Sequence, residues 1–236
     1  MIEIDGLEVR FGGVRAINSL STVFDAPVTG LIGPNGAGKT TLLNVFSGFV
    51  SPTAGVVKVD GHDVASMPTH RRSAFGIRRT FQTEQVVLNL SVRDNVAGVL
   101  DHVPFTGGSR DDVLQAALKF TGLEHRHRVM GGALAAAERR MVEIARCVVG
   151  SPKVIMMDEP GAGLSESESE FLRKVIVGIP DYCGAQVLLV DHDVDLISAT
   201  CAKTLVLDFG TMIAYGPVAS TLSDPKVRAA YLGEME

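Results

Sequence analysis

The chain has 236 residues, 46% of them hydrophobic, with a formal net charge of −5 and three cysteines. That apolar fraction suffices for one large domain with a subdomain, while the acidic balance argues against a nucleic-acid binder, whose affinity rests on clustered Lys and Arg. Cys147, Cys183 and Cys201 are odd in number and widely spaced, and read as reduced, buried thiols rather than a disulfide framework.

Met1 opens no charged-then-apolar leader and no run of about 18 apolar residues follows, so neither a signal peptide nor a membrane span is expected. Any membrane role would come through a partner. Ile2 to Phe11 reads as a strand with Gly6 as a bend, and Gly12-Gly13 ends it. A second strand is expected over Leu20 to Phe24 and a third over Val28 to Ile32.

The third strand runs into Gly33-Pro34-Asn35-Gly36-Ala37-Gly38-Lys39-Thr40-Thr41 and then a helical run from Leu42, with Gly48 as its stop. This is the G-x-x-x-x-G-K-[ST] phosphate loop in the strand-loop-helix context that gives it meaning. Its glycines let backbone N–H groups curl round a phosphate, the helix N-terminus adds positive potential, Lys39 adds charge and Thr40 offers a hydroxyl to Mg2+.

Gly55 to Gly61 reads as a strand ending in an Asp-Gly turn. Arg71-Arg72 and Arg78-Arg79 flank another short strand that enters Thr80-Phe81-Gln82, and the four arginines are expected to form a solvated or partner-facing surface. From Ser91 to Gly150 the spacing turns helical, with Pro104 to Ser109 as a loop. His125 and His127 lack the spacing and companions of a zinc site.

Strand and helix then alternate again. Val154 to Met157 closes on Asp158-Glu159, Ser165 with Glu168 reads as a helix-opening capping box, and Val187 to Val190 closes on Asp191-His192-Asp193. A hairpin over Leu205 to Tyr215 turns at Phe209-Gly210, and Asp224 to Leu232 reads as a final helix. Continuous apolar strands separated by helices indicate an α/β fold with a mostly parallel sheet covered on both faces. Beside a phosphate loop, Asp158 would orient the water shell of Mg2+ and Glu159 would polarise an attacking water.

In this order the motifs resemble the ATP-binding subunit of an ABC transporter over essentially the whole chain. The resemblance implies one nucleotide-binding domain over 1–236, with an antiparallel β subdomain and a helical subdomain about 86–150. It implies ATP as the ligand, with Phe11 stacking on adenine, Gln82 sensing Mg2+ and the membrane subunit, and His192 contacting the γ-phosphate. Lys39, Glu159 and His192 would be the catalytic residues, and Thr40, Gln82 and Asp158 the metal-side ones. Val9 to Ala16, Val142 to Arg146 and Asp224 to Glu234 look like the branched-chain amino acid importer group, with urea and amide importers related.

The family's L-S-G-G-Q signature is replaced by Leu134-Ala135-Ala136-Ala137-Glu138. Ala135 lacks the serine hydroxyl, and Ala136 and Ala137 stand where glycine allows close backbone approach. Ser165 likewise stands where the family usually carries Asp or Asn. Because each ATP in this family lies between one subunit's phosphate loop and the other's signature, a heterodimer with one dominant hydrolytic site is expected, the alternative being a homodimer in which the alanines are tolerated and the backbone amides suffice. The resemblance also implies two membrane permease subunits, a solute-binding protein reached indirectly, no nucleic acid, and a place at the cytoplasmic face of the membrane. The alternatives are a non-hydrolysing ATP-dependent switch and a soluble ATPase acting on DNA or ribosomes, the latter disfavoured by the acidic balance.

Overall fold

The computed structural model describes residues 1–232. The chain opens with β1 (Ile2–Phe11), β2 (Val14–Phe24) and β3 (Val28–Ile32), followed by α1 (Lys39–Ser47), β4 (Ala54–Val59) and β5 (His62–Asp63). Next come α2 (Thr69–Phe75), β6 (Ile77–Arg79), α3 (Val92–Ala97), α4 (Arg110–Phe120) and α5 (Ala136–Val148). The last part holds β7 (Val154–Asp158), α6 (Glu166–Cys183), β8 (Gln186–Val190), α7 (Val194–Thr200), β9 (Lys203–Asp208), β10 (Thr211–Pro217) and α8 (Val218–Ser223). Helical turns over Pro225–Val227 and Arg228–Leu232 end the described chain; Gly233 and Glu234, part of the importer-like ending, lie outside the described residues.

Two sheets result. An antiparallel sheet runs β2-β1-β4-β5, and a second sheet runs β10-β9-β3-β8-β7-β6. In the second, β9, β3, β8, β7 and β6 are parallel and β10 pairs antiparallel at the edge. All five residues of β3 and of β7 are buried, as strands covered on both faces must be. Alternate residues serve two cores: Ile155, Met157, Val187 and Leu189 pack toward the helices α3 to α6, while Val154, Met156, Leu188 and Val190 pack toward α1 and the antiparallel sheet. Among the described residues no helix is long and apolar enough to cross a membrane.

The structure corrects the sequence reading in two places. β2 begins at Val14, not Leu20, because the β1–β2 hairpin zips down to the Phe11↔Val14 pair; Ser19 at φ 51 and the register shifts in β1 break the alternation that would have marked it. Ser165 opens α6 as expected, and Glu168 Oε2 reaches back to accept from its N–H (2.8 Å) and its hydroxyl (2.6 Å).

The arginine cluster is not a solvated surface. Arg71 is exposed, whereas Arg72 and Arg78 are only 4% and 6% exposed. Arg72, on α2, donates to Val45 O and Phe46 O (3.1 Å) at the end of α1 and to Met67 O (2.8 Å) and Ala65 O (2.9 Å). A helix end leaves carbonyls without intrahelical partners, and the planar guanidinium fork satisfies several at once.

Candidate active site

The phosphate loop joins the C-terminal end of β3 to α1. Gly33, Gly36 and Gly38 all have positive φ. At Gly38 (φ 103) a Cβ would meet Ala16 O at 2.5 Å, whereas a Cβ at Gly36 would point into open space; the first glycine seats the loop on β2, and the second leaves its outer side clear for a ligand's approach. Gly38 caps α1 without any side chain, so the N–H groups of the first turn face outward as an anion-binding end. Lys39 Nζ donates to Gly33 O (2.6 Å) and Pro34 O (2.9 Å). Burial pulls its ammonium below the usual lysine range, opposed by the charges of Glu159 and Asp158.

Those carboxylates end β7, two strands from β3 across β8. Asp158 is buried, and Arg79 Nη2 donates to its Oδ2 at 2.8 Å. Glu159 sits in the left-handed region at φ 49, pinned by its N–H to Val190 O (2.8 Å), and Gln82 Nε2 donates to its Oε2 at 2.9 Å. β6 and the segment after it therefore address both carboxylates, Arg79 reaching the first and Gln82 the second. His192 follows the adjacent strand end; its side chain is 71% exposed, with Nδ1 at 3.8 Å from Asp191 Oδ1. Burial pushes the Asp191 carboxyl above the usual range. Phe11, 52% exposed, stands at the end of β1.

The alanine stretch occupies a separate helix start. Ala135 caps α5 at φ −68, ψ 163, the backbone geometry of Ser91 before α3 (−66, 161) and Ser109 before α4 (−67, 162). Both serines accept a backbone N–H through Oγ, at 3.1 and 3.2 Å. Ala135 has no such acceptor, and only Glu138 reaches back, its Oε2 accepting from the Ala135 N–H at 2.9 Å. Ala135 and Ala136 are exposed and Ala137 half-buried.

The ABC transporter family pattern matches residues 18–162, from β2 through the phosphate loop to the turn after Glu159. This chain belongs to the ABC transporter family. It is an ATP-binding cassette, and an ATPase by that membership. It is 33% identical to the high-affinity branched-chain amino acid transport ATP-binding protein BraF of Pseudomonas aeruginosa, over 99% of this chain and 98% of that protein. Against its counterpart LivG of Escherichia coli K12 the identity is 32%, with the same coverage. The lipopolysaccharide export system ATP-binding protein LptB of Escherichia coli K12 is 35% identical over 97% of this chain and 95% of its own. Among solved structures, the ADP conformation of the ABC transporter cassette MJ1267 superposes with a TM-score of 0.84 at 28% identity, covering 99% of this chain and 98% of that one.

The cassette's residues fit a nucleotide with Mg2+. The open loop, bare helix end and Lys39 offer donors and charge to phosphates. Asp158, buried beside the loop with Oδ2 held by Arg79, is an oxygen donor of the kind Mg2+ takes, one or two beside substrate phosphates. Two further residues belong to this arrangement: Arg79, which the sequence reading placed on a surface, and Asn44, which it did not single out. Arg79 Nη1 donates to Asn44 Oδ1 of α1 at 2.6 Å while Nη2 holds Asp158. The available signal was position: Arg79 lies three residues before Gln82, at the end of a strand parallel to the one that carries Asp158.

Proposed function

We propose that this cassette hydrolyses ATP to power an importer of branched-chain amino acids or related small polar solutes. Its partners would be a second ATPase subunit and two membrane permeases at the cytoplasmic face, with a solute-binding protein engaged indirectly. The observation that carries the reading is the convergence of the phosphate loop with Asp158 and Glu159, with Gln82 hydrogen-bonded to Glu159. Likeness to BraF and LivG supports the class of solute; likeness to LptB bears on the cassette but not on the cargo.

In this reading the loop amides from Gly33 through Thr41 and Lys39 hold the β- and γ-phosphates, and Phe11 stacks on the base. Bound Mg2+ supplies Lewis-acid neutralisation of phosphoryl charge. Thr40, Asp158 and Gln82 would hold it, Asp158 through its water shell. Glu159 takes a proton from the attacking water, and His192 contacts the γ-phosphate side. Lys39 would exchange its hydrogen bonds to Gly33 O and Pro34 O for phosphate oxygens, with the charges of Glu159 and Asp158 opposing the effect of its burial.

The helical segment about 86–150 forms the subdomain of the single domain 1–236, and with Thr83 to Leu90 it receives the permeases. Exposed Val87, Leu88, Leu90 and Phe49, and a cavity of about 240 Å3 lined by Phe49, Phe81, Val99 and Arg146, support that docking. The bare cap at Ala135 supports a heterodimer: Lys39, Asp158, Glu159 and His192 complete a working site against a partner's intact signature, while Ala135, Ala136 and Ala137 weaken the partner's site. Losing one preorganised donor lowers a rate roughly a hundred- to a thousand-fold. ATPase assays of the chain alone and with the second subunit test this. Turnover near zero alone and restored by the partner is expected; turnover on the order of 1 per second alone overturns the heterodimer.

The same bare cap favours one competing reading, a switch that binds ATP without hydrolysing it. Glu159→Gln tells them apart, because unchanged turnover in the assembled complex would favour the switch.

A further inference from the structure

Arg79 bridges the phosphate-loop helix and the end of β7. Its side chain is 7% exposed and the Asp158 side chain 9%. One arm of the guanidinium holds Asp158 Oδ2 at 2.8 Å, the other holds Asn44 Oδ1 on the phosphate-loop helix at 2.6 Å, and Cζ lies 5.1 Å from the Phe81 ring centre. Asp158 Oδ1 accepts no hydrogen bond from the described residues. Among the described residues, the side-chain hydrogen bond that Glu159 receives comes from the neutral amide of Gln82. Of the two adjacent carboxylates beside the loop, the buried one thus carries its own cation.

We propose that Arg79 is the resident counter-charge of Asp158, allowing the site to admit an anionic nucleotide before its metal arrives. Without Arg79 the buried Asp158 carboxylate would repel the phosphates whenever Mg2+ is absent. At an effective dielectric of about 20, two unit charges roughly 8 Å apart change a binding constant about 30-fold. With Mg2+ present the ion itself supplies the missing positive charge, so Arg79 matters less. The arginine keeps Oδ2 occupied and leaves Oδ1 for the metal's water shell. A merely structural ion pair would instead support binding equally with and without metal.

This inference rests on the nucleotide reading of the site, and the experiment separates the two. The dissociation constant of a fluorescent ADP analogue is measured on the full chain in Mg2+ and in EDTA, with folding checked by circular dichroism and urea unfolding. Failure of the wild-type chain to bind in Mg2+ would overturn the site reading itself. Given binding, Arg79→Met should weaken the EDTA value about ten-fold or more and the Mg2+ value less than about three-fold, whereas Arg79→Lys should stay near wild type. Equal weakening in both media, or a smaller ratio than wild type, overturns the proposal. Should Arg79→Met fail to fold, Asp158→Asn decides: with Arg79 unneutralised it should bind nucleotide in EDTA about ten-fold more tightly than wild type. The Arg79→Met, Asp158→Asn double variant should return to the wild-type EDTA value. Asp158→Asn that binds no tighter, or a double variant that differs from wild type, overturns the proposal.

Discussion

Gln82 Nε2 lies 2.9 Å from Glu159 Oε2, so an amide on the segment that leads to the helical part of the molecule holds the carboxylate proposed to activate water. Gln82 is otherwise exposed. Replacing it by Ala should leave nucleotide affinity within about three-fold and lower the stimulation of ATPase by membrane subunits roughly five-fold or more, the range of a typical coupling energy. Basal and permease-stimulated turnover of the reconstituted assembly measure this. Undiminished stimulation would remove Gln82 from the coupling path.

Glu159→Gln keeps an oxygen that can accept from Gln82 and removes the base. Turnover should fall about a hundred- to ten-thousand-fold, the usual contribution of general base catalysis, with ATP affinity unchanged or improved. A phosphate-release assay together with nucleotide titration separates the two effects; a loss of affinity equal to the loss of rate would mean that the carboxylate serves binding.

Ala135→Ser places a hydroxyl in a cap whose backbone already matches Ser91 and Ser109. The gain should be about 1 kcal/mol, which for a chain of this size raises Tm by about 2–4 °C. ATPase of the chain alone should rise as well. Differential scanning calorimetry reads the first outcome independently of the second, and no change in Tm would show that Glu138 alone saturates the cap.

Arg72→Met strands the carbonyls of Phe46, Ala65 and Met67 and leaves Val45 O with only the Gly48 N–H among the described residues. Hydrogen bonds to a charged donor contribute about 1.5–3 kcal/mol each, and an orphaned buried acceptor costs about 1–3, so urea unfolding should reveal a loss of about 3 kcal/mol. Arg72→Lys should recover only part, since one ammonium cannot span four carbonyls. A loss below about 1 kcal/mol would mean that water replaces the guanidinium.

Much of this arrangement was legible in the sequence, for identifiable reasons. β3, β7 and β8 are unbroken apolar runs that end in polar motifs, so their identity and their parallel packing follow from burial on both faces. Gly33 to Thr41 names its own loop because backbone geometry dictates the glycines. Arg72 and Arg79 could not be read the same way. Nothing local distinguishes an arginine that returns to helix-end carbonyls or a buried carboxylate from one in water, since the partners, Val45 and Asp158, are distant in sequence. The start of β2 was hidden for a related reason: Val14 to Ser19 is held by pairing with β1, not by its own alternation.

Glu159 at φ 49 carries a backbone conformation that disfavours side chains by on the order of 1 kcal/mol. Tolerance at this position is therefore set twice, by the peptide and by the carboxylate, and the two preferences diverge. Glycine and asparagine suit the peptide and lack the base, β-branched residues suit neither, aspartate suits the peptide but holds its carboxylate one methylene short, and glutamate accepts the strain in exchange for reach. A saturation library at position 159 should accordingly place its most heat-resistant members among its least active ones, the trade-off expected where conformational comfort and reactivity compete for a single residue.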